Sequence, residues 1–313
     1  MEWIAYHRVI GFDRLVLVSN NCTDGSDDLL DALAAQGAIE HHSQEVPDGV
    51  APQYHAAEMV KEMGTFADGE WVMFLDIDEY LNIHTPKKRV GELIDRIGPA
   101  DGMAITWRFF GDAGLEDWPG RHLSEKLTRC SWRFFSTASL EVKTLFRMSP
   151  DVFALSHHRP VLETSFVSNG RWFVDAAGWR MPRSAYLAKK KDGQPEGKIA
   201  RWPVYRFAQV NHYAVRTPTL FRLRKERGLG ASASRQELRH NKRYYERFNK
   251  NTRTDRSILA MADATEAELS KLRALPGVAE AEAACQDRTL RQLAKLFPDL
   301  SDAALARRIG LSA

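Results

Sequence analysis

Asp76 and Asp78 follow a wholly apolar run, Trp71-Val72-Met73-Phe74-Leu75. Along an extended chain, residues two apart point the same way. Two carboxylates on one side of a strand's exposed end suit a hard cation. Magnesium and manganese take oxygen ligands and are commonly held by one or two carboxylates together with substrate phosphates. An ion there would act as a Lewis acid, neutralising charge on a departing phosphate group. The competing reading is a surface turn whose acids cap the next element. Five apolar residues aimed straight at the turn favour the first reading.

The surrounding pattern supplies a scaffold. A helix is expected over 2–10, and 15–18 is a short apolar run that fits a buried strand. The polar loop 19–26 follows it. A helix over 27–35 stops at Gly37, and 38–41 reads as a strand. A helix over 53–63 stops at Gly64, and the strand 71–75 leads into the acids. Strands alternating with helices predict a mostly parallel sheet flanked by helices, in which ligands sit beyond the carboxyl ends of the strands. Both polar loops lie at such ends. Further on, 103–110 is an aromatic strand, 111–121 a loop, and 131–147 strand-rich. Residues 168–203 have no clear period, and Lys189 to Gly193 reads as an exposed turn. Thr217-Pro218 opens a helix by cap and first-turn proline, and Gly228 ends it. From Asp263 the chain turns to short amphipathic helices. The expected organisation is one domain over 1–258 and a helical appendage over 259–313.

Composition narrows the class. The 313 residues carry 44 Lys and Arg against 41 Asp and Glu, a net charge of +3. That balance, with no recognisable motif, argues against a nucleic-acid partner. Cys22, Cys130 and Cys285 lie far apart, which fits neither a disulfide scaffold nor a zinc site and points to a reducing cytoplasm. No apolar run is long enough for a transmembrane segment, and the N-terminus lacks the pattern of a signal peptide. Peripheral contact with the inner face of the membrane stays open.

Several short motifs, in order, resemble glycosyltransferase family 2-like proteins. Phe74-Leu75-Asp76-Ile77-Asp78-Glu79-Tyr80-Leu81 resembles their Asp-x-Asp strand. Glu2-Trp3-Ile4-Ala5-Tyr6-His7 with Gly11-Phe12-Asp13 resembles the opening helix, and Asn20 to Ser26 an Asp-Asn-x-Ser-x-Asp-Gly loop. Asn211-His212-Tyr213, then Arg224 and Arg227-Gly228, resembles the C-terminal element, with Arg224 in the place of a lysine. The resemblance implies a GT-A-type (Rossmann-like) fold, a nucleotide-sugar donor, Mn2+ or Mg2+, and inverting transfer to a glycan or lipid-linked acceptor in surface polysaccharide synthesis. It implies that Asp76 touches the donor's ribose or the metal, that Asp78 binds the metal, and that His212 completes the coordination or contacts the diphosphate. Asn20 and Asp24 would line the nucleotide pocket, and Gln53 would be a donor-side glutamine. For Arg224 and Arg227, which share a helix face, two readings fit: a diphosphate grip or a solvated basic face. The family has a strand ending in Lys-Asn-Glu ahead of the opening helix; that first strand is expected to be missing here.

An inverting transfer needs a base for the acceptor hydroxyl. Asp112 and Glu125 are the candidates, with Asp117 behind them. His157, His158 and the tryptophans Trp107, Trp118, Trp172 and Trp179 could contact sugar rings or simply pack. The alternative to an enzyme is a truncated, non-catalytic nucleotide-sugar or glycan-binding protein of the same fold.

Overall fold

The structure, a computed structural model, describes residues 1–117, 122–187, 197–227, 241–301 and 303–305. Trp118, the Lys189 to Gly193 turn and Gly228 lie outside the described residues. The chain opens with α1 (Glu2–Val9), β1 (Val16–Ser19), α2 (Ser26–Ala35), β2 (Glu40–Ser43) and α3 (Pro52–Glu62). Next come β3 (Trp71–Met73), β4 (Glu79–Ile83), α4 (Val90–Ile97), β5 (Gly102–Phe109), α5 (Leu123–Lys126) and β6 (Arg129–Cys130). They are followed by β7 (Val142–Arg147), β8 (Val152–Ala154), β9 (Val161–Leu162), α6 (Ser165–Ser168), β10 (Phe173–Asp175), α7 (Arg183–Leu187) and β11 (Ala208–His212). The last described elements are α8 (Pro218–Arg227), α9 (Lys242–Phe248), β12 (Arg253–Thr254), α10 (Ala262–Arg273) and α11 (Val278–Leu296). None of the described helices is long and apolar enough to cross a membrane.

The elements sort into two compact units: 1–51, 110–130 and 214–313 form one, 52–109 and 131–213 the other. In the first, β1 and β2 pair in parallel, Val16 opposite Glu40. Helix α1 buries Ile4 and Ala5 against Leu33 of α2 and against Leu269 and Leu272 of α10. Leu269, Leu272 and Val278, from the stretch read from the sequence as an appendage over 259–313, thus belong to the same core as the first helix. Helix α11 closes a second cluster, in which Leu293 meets Leu223 of α8. Gly25 takes φ +82 ahead of α2, and a Cβ there would meet the Arg288 guanidinium at 2.7 Å.

His7 sits inside this unit, fully buried among Trp3, Tyr6 and Phe12. Its Nδ1 donates to the Trp3 carbonyl at 2.8 Å. Burial pushes the imidazole's pKa down to about 3, against the smaller opposing pull of that hydrogen bond. The folded chain therefore keeps His7 neutral while the unfolded chain protonates it below about pH 6.5. Stability should fall as pH drops through the window from there toward 3, by about 1.4 kcal/mol per unit from this residue. Urea midpoints at pH 7 and pH 5 for the wild type and His7→Phe test this: the variant should show the shallower pH slope, and equal slopes refute it.

The second unit is built on a six-stranded sheet in the order β3-β7-β5-β11-β4, with β10 also paired to β5. The expected mostly parallel sheet is not what forms. β3–β7, β5–β7 and β11–β4 are antiparallel, and only β11 and β10 run parallel to β5. The reason lies after Asp78. The chain does not enter a crossover helix there but turns directly into β4, which must run antiparallel to the β11 it joins. β5 is the central strand. Its Gly102 is squeezed so closely that a Cβ would meet the Phe173 ring at 2.8 Å and the Leu145 carbonyl at 2.9 Å. Phe146, Phe166, Phe173 and Tyr186 form the core on this sheet.

Candidate functional site

The acidic turn lies in the second unit, where β3 hands over to β4. The strand stops at Met73, so Asp76 and Asp78 are not two positions of one extended chain. The Glu79 amide donates to the Asp76 carbonyl at 2.9 Å, and the Asp76 amide donates to Glu79 Oε2 at 3.0 Å. The strand geometry on which the expectation of two like-facing carboxylates rested is therefore absent here. Asp76 is directed to Gln53 and Lys143, whereas Asp78 is directed to His212. Between them Ile77 is left 67% exposed, an apolar side chain at the tip of a polar turn.

Register explains the second pairing. His212, the last residue of β11, lies opposite Glu79 of β4 and opposite Phe109 of β5. The Tyr213 amide then donates to the Asp78 carbonyl at 2.9 Å, fixing the turn to the end of β11. Asp78 Oδ1 ends 3.8 Å from His212 Nε2, both residues being buried. Trp107 and Phe109 flank the imidazole, with ring centroids 4.4 and 5.0 Å away. The aromatic strand read from the sequence thus frames the histidine.

Asp76 is held from two sides. Gln53, at the start of α3, donates from Nε2 to Asp76 Oδ1 at 2.6 Å. Lys143 of β7 reaches Asp76 Oδ2 at 3.1 Å and Glu79 Oε2 at 3.0 Å. Lys143 and Glu79 are both fully buried. Burial works against the Lys143 ammonium, but Asp76 and Glu79 overcompensate and hold its pKa above the usual lysine value. The same burial pushes the Glu79 carboxyl up, with Lys143 opposing it, so this acid leans on the lysine for its charge. The cluster brings three carboxyl groups, those of Asp76, Asp78 and Glu79, together with one ammonium. Sequence reasoning missed Lys143 and gave Glu79 no role, since a lysine in a strand reads as solvent-facing.

Among the described residues no three His, Cys, Asp or Glu side chains form a ready metal cage. Asp78 and His212 still present an oxygen and a nitrogen at 3.8 Å, a separation that two ligands each about 2.1 Å from one ion can span. A carboxylate and an imidazole are suitable donors for manganese. Asp76 accepts from the Gln53 amide and the Lys143 ammonium.

The other expected site residues belong to the first unit. Asn20 follows β1, and its carbonyl accepts from the Cys22 thiol. Asp24 Oδ1 accepts from the Ser26 amide at 3.0 Å and hydroxyl at 2.6 Å, a local turn just ahead of α2. Arg224 donates from Nη1 to the Ala214 carbonyl at 3.1 Å, and neighbouring Arg222 lies over Phe297 at 4.8 Å. Arg227 is the last residue of α8, and its side chain lies outside the described residues. Glu125 sits in the short helix α5, whose first amides are capped by the Glu2 carboxylate.

Asp112, expected as a base, is the anchor of a loop. Its carboxylate accepts from Tyr245 Oη (2.8 Å), Asn249 Nδ2 (2.5 Å), Asn251 Nδ2 (3.0 Å) and the Gly114 amide (2.8 Å). Four donors occupy the lone pairs that a base would need. Asp112→Ala should therefore cost about 3 kcal/mol of stability by unpinning the 245–251 segment. A thermal melt checks this, and an unchanged melting temperature with lost activity would restore Asp112 to catalysis.

A mixed α/β architecture with acidic residues turning out of a strand end is consistent with an α/β glycosyltransferase. The profile of glycosyltransferase family 92 matches residues 1–163, and the chain belongs to that family. The class expected from the motifs stands, and the family is 92 rather than the family 2-like group. Over 127 residues the chain is 28% identical to a glycosyltransferase family 92 protein of Ricinus communis. That alignment covers 38% of this chain and 22% of the plant protein, so the chain matches under a quarter of its relative's length. The family match takes in Gln53, Asp76, Asp78, Glu79 and Lys143 and ends before His212.

Proposed function

We propose that this chain transfers a sugar from a nucleoside diphosphate sugar to a hydroxyl of a glycan or lipid-linked acceptor, assisted by one divalent ion held by Asp78 and His212. The observation that carries the reading is the 3.8 Å approach of Asp78 Oδ1 to His212 Nε2 where β4 begins and β11 ends. Manganese or magnesium bound there supplies Lewis-acid help to a departing diphosphate. The surplus of carboxyl groups over ammonium in the cluster favours such an ion, and a site with two protein ligands would leave room for the donor's phosphates. Asp76, steadied by Gln53 and Lys143, accepts hydrogen bonds from the donor's ribose hydroxyls, the arm of the sequence expectation that its geometry favours. Ile77 is covered when the donor binds.

Manganese titration followed by electron paramagnetic resonance, with and without a nucleoside diphosphate, tests the site. The expected result is weak binding alone and much tighter binding with the nucleotide. A panel of nucleotide sugars, assayed for transfer or hydrolysis with and without manganese, tests the reaction. Turnover that is unaffected by chelation would refute metal assistance, and nucleotide binding without turnover of any sugar would favour a non-catalytic binding protein.

A further inference from the structure

We infer that an aromatic and arginine-rich surface of the second unit docks onto an anionic phospholipid bilayer. Trp132 and Trp202 are 54% and 53% exposed, and Phe134 is 39% exposed. Large aromatics in water need a reason when they cluster. Phe134 and Trp202 stack on one another, centroids 5.1 Å apart and planes 17° apart, so the two segments that carry these rings form one surface. Tyr205 joins them from beneath: its hydroxyl donates to the Trp107 carbonyl at 2.9 Å and lies 3.3 Å from the Arg133 carbonyl. Arg133, Arg201 and Arg206 are exposed in the same two segments, with Arg133 over the Tyr205 ring at 6.0 Å and Arg206 over Phe207 at 5.0 Å. Neither segment, 131–140 or 199–208, contains an aspartate or a glutamate.

The charge selects the occupant. A neutral glycan would stack on an aromatic face, but Phe134 and Trp202 spend one face each on the other, and three guanidinium groups have no charge to meet in a neutral sugar. A leaflet rich in anionic headgroups offers phosphates that arginine grips bidentately, and it offers the boundary zone where tryptophan is enriched. The basic residues add electrostatic attraction within a Debye length of the surface. Behind the surface, Phe135 packs on the buried Phe109 at 5.3 Å, and Phe109 packs on His212. Docking would hold that end of the sheet close to lipid headgroups. The inference does not depend on the metal or on sugar transfer.

The test uses the full chain and vesicles of phosphatidylcholine alone or mixed with phosphatidylglycerol, read by co-sedimentation. The expected result is partition onto the mixed vesicles that weakens as salt rises. The triple variant Arg133→Gln, Arg201→Gln, Arg206→Gln should lower the partition coefficient by about a hundredfold. The variant Trp132→Ser, Trp202→Ser should lower it by about tenfold. Both should keep the wild-type melting temperature. Failure of the wild type to bind mixed vesicles at low salt, or undiminished binding by both variants, overturns the inference. So does loss of retention on an immobilised neutral oligosaccharide by the tryptophan variant while its vesicle binding is intact, which would assign the surface to a glycan.

Discussion

Asp78→Asn is expected to lower kcat/KM for the nucleotide sugar by about a thousandfold, since a bound ion supplies several kcal/mol to the leaving group. The substitution keeps the shape of the side chain and removes its charge. The backbone carbonyl of residue 78, which accepts from the Tyr213 amide, is untouched, so the turn should keep its place. The fold should melt as before while manganese no longer binds in the presence of nucleoside diphosphate. His212→Ala should give a loss of similar size, and the double variant should be little worse than either single one, because two ligands of one ion act as a unit. Full activity in Asp78→Asn, or two losses that multiply, would separate the two side chains and remove the metal pair from the proposal.

Both members of the pair are legible in the sequence, His212 through the resemblance around Asn211-His212-Tyr213. Asp78 announced itself through the apolar run before it. What could not be read was the turn, because Glu79 to Ile83 mixes Glu, Tyr, Leu, Asn and Ile without alternation, and all five residues are buried. Their pattern comes from a partner strand 129 residues away, as the Asn82 and Asn211 contact shows. Local periodicity carries no such information. The short-range features fared better. The runs at 16–19 and 102–109, the glycine stop at Gly37 and the Thr217-Pro218 helix start are all set by neighbours in the chain. Asp112 shows the opposite case. It reads as a loop acid open to water, and only the fold brings Tyr245, Asn249 and Asn251 onto its carboxylate. The C-terminal helices look separable in sequence because their apolar positions face a core that begins with Ile4.

Lys143 is the residue whose loss should be felt most in the fold. Lys143→Met leaves Glu79 buried without its cation, and breaking a buried pair from one side costs about 3–5 kcal/mol. A fall of about 10 °C in melting temperature is the expected reading. The cost belongs to the stranded carboxylate rather than to the lost attraction, so Lys143→Met combined with Glu79→Gln should recover most of it. The side-chain carbonyl that Glu79→Gln leaves in place can still accept from the Asp76 amide, as Glu79 Oε2 does at 3.0 Å. What the double variant does not restore is the second anchor on Asp76, whose Oδ2 loses the ammonium 3.1 Å away while Oδ1 keeps Gln53. If Asp76 serves the donor's ribose, KM for the nucleotide sugar should rise by about tenfold with a smaller change in kcat, as expected when a supporting partner is removed. Manganese binding, which depends on Asp78 and His212, should be unchanged. A double variant as unstable as Lys143→Met would show that the lysine acts through packing. A double variant that folds but loses manganese would move Asp76 into the metal's coordination, as the sequence alone allowed.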